Sequence, residues 1–268
     1  MSLSELAGAL LLTMQLVLES PVLRLWSGYP ENRDVGMKCV ICGNEIRGRY
    51  LVDVWQQPMC AGHKIEYCSS CGRFVKPDEL HLPDGRCLCS CCVPTIVRTQ
   101  QHIEWVEQRV RPMLAKNGID DLPVAIPIKL VSPAEIARLN GAGQVNLNQQ
   151  GLTKTSKSVS LLGTKCSHTI YMQDNLPRIR FAGVLAHEML HVWMNEKGIS
   201  LQPMLTEGFC NVGSYIVFKA IGNDLSLHMI KLLEQDRDPV YGDGFRKVVE
   251  FYRKNNSLTQ VMMQLKRL

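Results

Sequence analysis

One spacing, used twice, constrains this chain more than any other feature of it. Cys39 and Cys42 enclose two residues, seventeen residues follow, and Cys60 and His63 enclose two more. Cys68 and Cys71 repeat the pair, seventeen residues again intervene, and Cys89 and Cys92 close the second copy. Each first pair runs into glycine, in "CVICG" and "CSSCG". A C-x-x-C turn presents two sulfurs from one tight knuckle, the glycine allows the left-handed backbone the knuckle needs, and zinc takes four such ligands tetrahedrally. The spacing therefore predicts two closed structural zinc sites. Cys87 and Cys91, inside "RCLCSCC", compete for the last positions, but only Cys89 and Cys92 reproduce the two-residue gap. Buried free cysteines that merely behave as small hydrophobes would not repeat in this way.

Most of the eleven cysteines fall in this stretch, and the total is odd. That pattern fits metal ligands better than a disulfide framework and implies a reducing compartment, so a cytoplasmic location is expected. The first twenty residues, "MSLSELAGALLLTMQLVLES", contain an apolar run from Leu6 to Leu18 but no basic start and no small-residue cleavage site. The run is short for a membrane span, and a buried or docking helix is expected over residues 1–38. With 268 residues, 46% of them hydrophobic, the chain can bury one large core or two unequal ones. The formal charge of +5 is modest, and seven thiolates on two zinc ions would lower it by three. Charge alone gives little reason to expect nucleic acid.

Two consecutive fingers of this spacing resemble a LIM domain, a double zinc finger that commonly recognises proteins. The likeness covers residues 39–93. It departs from the usual pattern in its C-x2-H ending to the first finger and in the four residues between fingers.

After "CCVPT" the composition changes, and a second domain is expected over residues 100–268. Ile103, Val106, Val110 and Met113 recur at helical steps. Val124, Ile126, Ile128 and Leu130 alternate as a strand interrupted by Pro127. "SVSLL" and "HTIYM" read as two further strands, and a helix begins near Pro177. The fold class expected is α+β, with a zincin-like peptidase domain preceded by the double finger.

That last helix carries "LAHEMLHVW". Positions four apart on a helix lie one above the other, so His187 and His191 can hold one ion while Glu188 stands beside them. Two histidines on a partly polar helix face are the plain alternative, and what lies downstream argues against it. A hydrolytic zinc site needs a third ligand and an open position for water. Sixteen residues after His191, Glu207 opens the apolar helix of "LTEGFCN", and Asn211 lies one turn further, placed to orient a ligand histidine. The spacing resembles that of the gluzincin metallopeptidases.

"LAHEMLHVW", "TEGFCN" and "DPVYGDGFR" together are similar to the peptidase region of the plant LIM peptidases that limit organ size, the DA-one family. The order of domains also matches. Residues 1–38 lack the acidic ubiquitin-interacting helix of plant members, so ubiquitin-dependent control is not carried over. The resemblance implies an intracellular zinc peptidase with one catalytic and two structural zinc ions. His187, His191 and Glu207 would ligate the catalytic ion and Glu188 would act as general base. Tyr241, with His228 behind it, would stabilise the oxyanion. "HTIYM" would supply the sheet edge for an extended protein or peptide substrate, and the LIM-like unit would dock substrates or partners. Two other classes compete with this reading: a catalytically weak scaffold that binds proteins, and a nucleic-acid binder. The fingers lack the interleaved aromatic and basic residues of a base-reading surface, so no nucleic acid is expected.

Overall fold

The computed structural model describes residues 12–15, 36–160 and 163–268. The helical segment expected over residues 1–38 lies outside the described residues except at Leu12–Gln15 and residues 36–38. Leu12–Gln15 is not helical: it forms strand β1. A short apolar run has no periodicity that separates strand from helix, and an open sheet edge decides the matter here. The chain divides into two compact units, with the change at Ile96–Val97.

In the finger unit, the first ligand pair of each finger is followed by a short hairpin. Strands β2 (Tyr50–Val52) and β3 (Pro58–Cys60) pair antiparallel, with Tyr50 opposite Cys60. Strands β4 (Leu80–His81) and β5 (Cys87–Leu88) do the same in the second finger. The internal repeat extends to the backbone. Gly43 and Gly72 sit at φ 73° and 74°, and each donates its N–H to the carbonyl of the first knuckle cysteine at 2.9 Å. The Asp53 carboxylate accepts from the backbone of Trp55 and Gln57 within its own turn and from Phe74 in the second finger, tying the two halves together. The apolar core is small, built around Cys39, Leu51, Met59 and Phe74.

The other unit is larger. Helix α1 (Gln100–Lys116) is capped by the Thr99 hydroxyl and buries Ile103, Val106, Val110 and Leu114, so Leu114 rather than Met113 completes its inner face. Strand β6 (Ile128–Val131) begins just after Pro127, and Val124 is 97% exposed. The alternation that predicts a longer strand ends at the proline, which has no N–H to continue a ladder. Helix α2 (Pro133–Asn140) is followed by two long strands, β7 (Gln149–Ser160) and β8 (Gly163–Gln173), paired antiparallel from Gly151 opposite Met172 to Ser160 opposite Gly163. Residues 158–160 of "SVSLL" thus end β7, "HTIYM" lies in β8, and "GTKCS", expected to separate two strands, is the start of β8. Among the described residues the sheet order is β1-β7-β8-β6, with β6 and β8 parallel. "HTIYM" therefore lies inside the sheet, not at its edge: residue alternation marks a strand but carries no information on strand order.

Helices α3 (Arg178–Glu196) and α4 (Pro203–Ile221) fill the centre of the core, buried along nearly their full length. Helices α5 (Asp224–Gln235), α6 (Gly242–Asn255) and α7 (Leu258–Leu265) close it. Helices α4 and α6 meet at two glycines. A Cβ on Gly208 would overlap the Gly244 carbonyl, and one on Gly244 would overlap the Met204 carbonyl. The "DPVYGDGFR" stretch thus provides a backbone-to-backbone contact one residue from Glu207.

Candidate metal centres

Residues on α3 and α4 converge on one point in the larger unit. His187, Glu188 and His191 have no solvent exposure, and Glu207 has 3%. The His187 and His191 Nε2 atoms are 3.0 Å apart, and Glu207 Oε2 lies 3.2 Å from the first and 3.6 Å from the second. Zinc bonds of about 2.0–2.2 Å at tetrahedral angles separate ligand atoms by about 3.3–3.5 Å. The three atoms therefore stand at nearly the mutual spacing that one zinc ion imposes. Glu207 Oε2 is buried without a hydrogen-bond partner, as an atom whose partner is a metal would be. Helix α4 starts at Pro203, so Glu207 stands in its second turn and does not open the helix.

The residues behind the ligands fix their orientation. His187 Nδ1 is 2.9 Å from Asn211 Oδ1, as the sequence led one to expect. Asn211 Nδ2 donates to the Tyr241 carbonyl at 3.3 Å, which sets the flip of its amide. Tyr241 is buried at the start of α6, and through this carbonyl and Asn211 it sits two hydrogen bonds behind His187. His228 lies half-buried on α5. Cys210, to which the sequence reading gave no role, places its Sγ 3.4 Å from His191 Nδ1.

Glu188 does not join the ligand atoms. Its Oε2 accepts from the Thr153 hydroxyl of β7 at 2.7 Å, and its Oε1 is buried without a hydrogen-bond partner. Gly151, two residues earlier on the same strand, allows this approach, since a Cβ there would overlap Oε1. Thr153 and Gly151 escaped the sequence reading because a strand-to-helix contact 35 residues away leaves no local spacing. The two carboxylates differ in basicity. Burial pushes the Glu188 carboxyl above the usual range against the pull of both histidines. Burial acts the same way on Glu207, but His191 and His187 overcome it and hold that group at about 2. One site thus contains a ligand-type anion and a carboxylate that takes protons more readily.

The fingers bring together the two expected sets. Cys39, Cys42, Cys60 and His63 form one group, and Cys68, Cys71, Cys89 and Cys92 the other, with the ligand atoms of each within 4.8 Å of one another. In the first, burial opposes the Cys39 thiolate, but backbone N–H groups of Cys42, Cys60 and Ile41 bring its pKa down to about 6. His63 Nε2 is buried without a hydrogen-bond partner. In the second, the sulfurs of Cys71 and Cys89 are 3.5 Å apart. Cys87 instead faces Glu66 and His81. That set, and a similar one of Cys166, His168 and Glu196, differ from the first finger in one respect: both ring nitrogens of His81 and of His168 have hydrogen-bond partners within the protein, whereas His63 Nε2 has none. The donor sets of the two fingers and of the α3–α4 site could hold metal, and LIM-type relatives point to zinc.

Comparison with known proteins places the site in a family context. Residues 112–222 match the family model described as DA1-like, Protein DA1. The chain is similar to Protein DA1 of Arabidopsis thaliana, 26% identical over 301 residues, covering 84% of this chain and 56% of that protein. It is equally similar to Protein DA1-related 1 of the same plant, 26% identical over 282 residues, 78% of this chain and 51% of the relative. LIM domain-containing protein HDR3 of Oryza sativa subsp. japonica is 24% identical over 196 residues, 60% of this chain and 39% of that protein. The chain spans about half the length of the curated relatives it matches. No solved structure matches it. The matched segment runs from α1 to the end of α4 and holds His187, Glu188, His191, Glu207, Cys210 and Asn211. The ligand-type residues of the α3–α4 site thus lie in the stretch of the chain that is similar to the DA1-like family model.

Proposed function

We propose that the chain is a zinc-dependent peptidase of gluzincin type that hydrolyses peptide bonds in protein substrates. In this reading the fold is zincin-like, and the double finger docks substrates or partners. The observation that carries the reading is the convergence of His187, His191 and Glu207 at zinc spacing, with Glu188 beside them but outside the ligand set. A bound zinc ion supplies Lewis acidity toward a peptide carbonyl and a water molecule. Glu188 takes the proton of the attacking water and returns it to the leaving amine. Thr153 holds one Glu188 oxygen so that the other stays free for the proton. Asn211 keeps His187 in the tautomer that leaves Nε2 as ligand. The oxyanion needs a donor beyond the metal, and Tyr241 is the residue assigned to it. An intracellular location, inferred from the metal-type spacing of the cysteines, belongs to the same proposal. No helix among the described residues is long and apolar enough to cross a membrane.

The burial of the site carries a second reading, in which the fold binds proteins without turnover. Incubating the zinc-loaded chain with a denatured proteome and identifying new termini by mass spectrometry separates the two. The peptidase reading predicts new termini that vanish when the zinc is chelated. Their absence at high enzyme concentration would favour the scaffold.

A further inference from the structure

Two consecutive residues of α4 hold the two histidines from behind. Glu207, Cys210 and Asn211 stand at i, i+3 and i+4, on one face of the helix. Asn211 Oδ1 meets His187 Nδ1 at 2.9 Å, and Cys210 Sγ meets His191 Nδ1 at 3.4 Å. Resting on the metal site proposed above, we infer that Cys210 is the positioning residue of His191, its sulfur accepting the Nδ1 proton and so leaving Nε2 free to bind metal. His191 Nε2 faces His187 Nε2 and Glu207 Oε2, so its lone pair belongs to the ion and the ring proton must sit on Nδ1. Cys210 and His191 are both fully buried. The sulfur lies near enough to both histidines to be a possible ligand, but its contact is with His191 Nδ1 while Glu207 and His187 face Nε2, so Glu207 takes the ligand place and Cys210 the positioning place. Thiol sulfur is a weak acceptor, so the two histidines are held unequally: His187 firmly by an amide and His191 loosely by a thiol.

The test uses the full chain with Cys210→Ala, Cys210→Ser and Cys210→Val. Zinc affinity of the α3–α4 site is measured by chelator competition, with the finger zincs as internal control, and imidazole nitrogen NMR reports the His191 tautomer. Losing an orienting partner of a metal ligand typically costs about 10- to 100-fold in affinity. Cys210→Ala and Cys210→Val should fall by that factor and lose the protected Nδ1–H signal. Cys210→Ser, which keeps an acceptor, should recover most of both. Unchanged affinity and tautomer in Cys210→Ala would overturn the inference. So would a Val variant that matches the parent beside a Ser variant that fails, because volume and not hydrogen bonding would then be what matters. Peptide cleavage is not read, so either of these results leaves the peptidase proposal standing, whereas a parent chain that binds no zinc at this site overturns both.

Discussion

The finger unit and the helix-rich unit gather their metal ligands by opposite means. In the fingers, ligands come from turns and strand ends, and the apolar cluster around Leu51, Met59 and Phe74 is too small to hold those turns together unaided. In the helical unit, the ligands stand on α3 and α4, whose flanking residues, among them Phe181, Leu185, Leu190, Phe209 and Val212, lie in a large continuous core. There the ligand geometry follows from helix packing, so a metal would enter a site already formed. In the fingers a metal would build the fold; in the helical unit it would be a guest of one.

Removing all metal should therefore separate the units most sharply. Structural zinc contributes roughly 10–16 kcal/mol to the folding of small fingers, so a strong chelator should unfold the finger unit while residues 97–268 still melt cooperatively. Cys71→Ser should give the same local loss in the second finger. Hydrogen exchange read peptide by peptide checks both, and loss of protection throughout the helical half would mean that the two units fold as one.

The opposite perturbation is Gly208→Val. Its side chain would collide with the Gly244 backbone, and overpacking of this kind costs about 1–3 kcal/mol or more. The melting temperature of the helical unit should fall and its zinc site should loosen with it, while the finger zincs stay bound. Intact thermal stability would show that the α4–α6 contact is not tight.

A smaller effect is expected behind the ligands. Asn211→Ala should weaken zinc at the α3–α4 site by about 10- to 100-fold, with the finger zincs unaffected. Glu207→Gln should also weaken that zinc alone, since a neutral amide is a poorer ligand than a carboxylate. Metal analysis after graded dialysis reads both, and early loss of finger zinc would contradict the division. Val124→Ser marks the lower end of the scale: on a fully exposed side chain it should change stability by no more than about 0.5 kcal/mol, whereas a larger loss would place Val124 in a buried strand after all.

The two units were not equally legible in sequence. Finger ligands lie in a local repeat, so spacing alone pairs the sets Cys39, Cys42, Cys60, His63 and Cys68, Cys71, Cys89, Cys92. His187 and His191 are one helical turn apart, and Asn211 follows Glu207 by one turn, so helix periodicity brings out each pair. What periodicity cannot supply is contact between distant elements. Thr153 and Gly151 touch Glu188 across a sheet-to-helix interface, and Gly244 meets Gly208 across two helices. Cys210 was readable in principle, three residues from Glu207 on the same helix face, but a cysteine in an apolar helix carries no distinguishing mark. Strand order is invisible to alternation, so "HTIYM" read as an edge although β8 lies between β7 and β6.

In the proposed mechanism Glu188 serves as a base and not as a ligand. Glu188→Gln keeps the size of the side chain and its contact with Thr153 but removes the basic oxygen. Loss of a general base costs about 10²- to 10⁴-fold in rate. Turnover of a sensitive peptide by Glu188→Gln should fall at least that far, while zinc content and melting temperature stay at the parent values. Undiminished cleavage by this variant, with zinc still bound, would contradict the account.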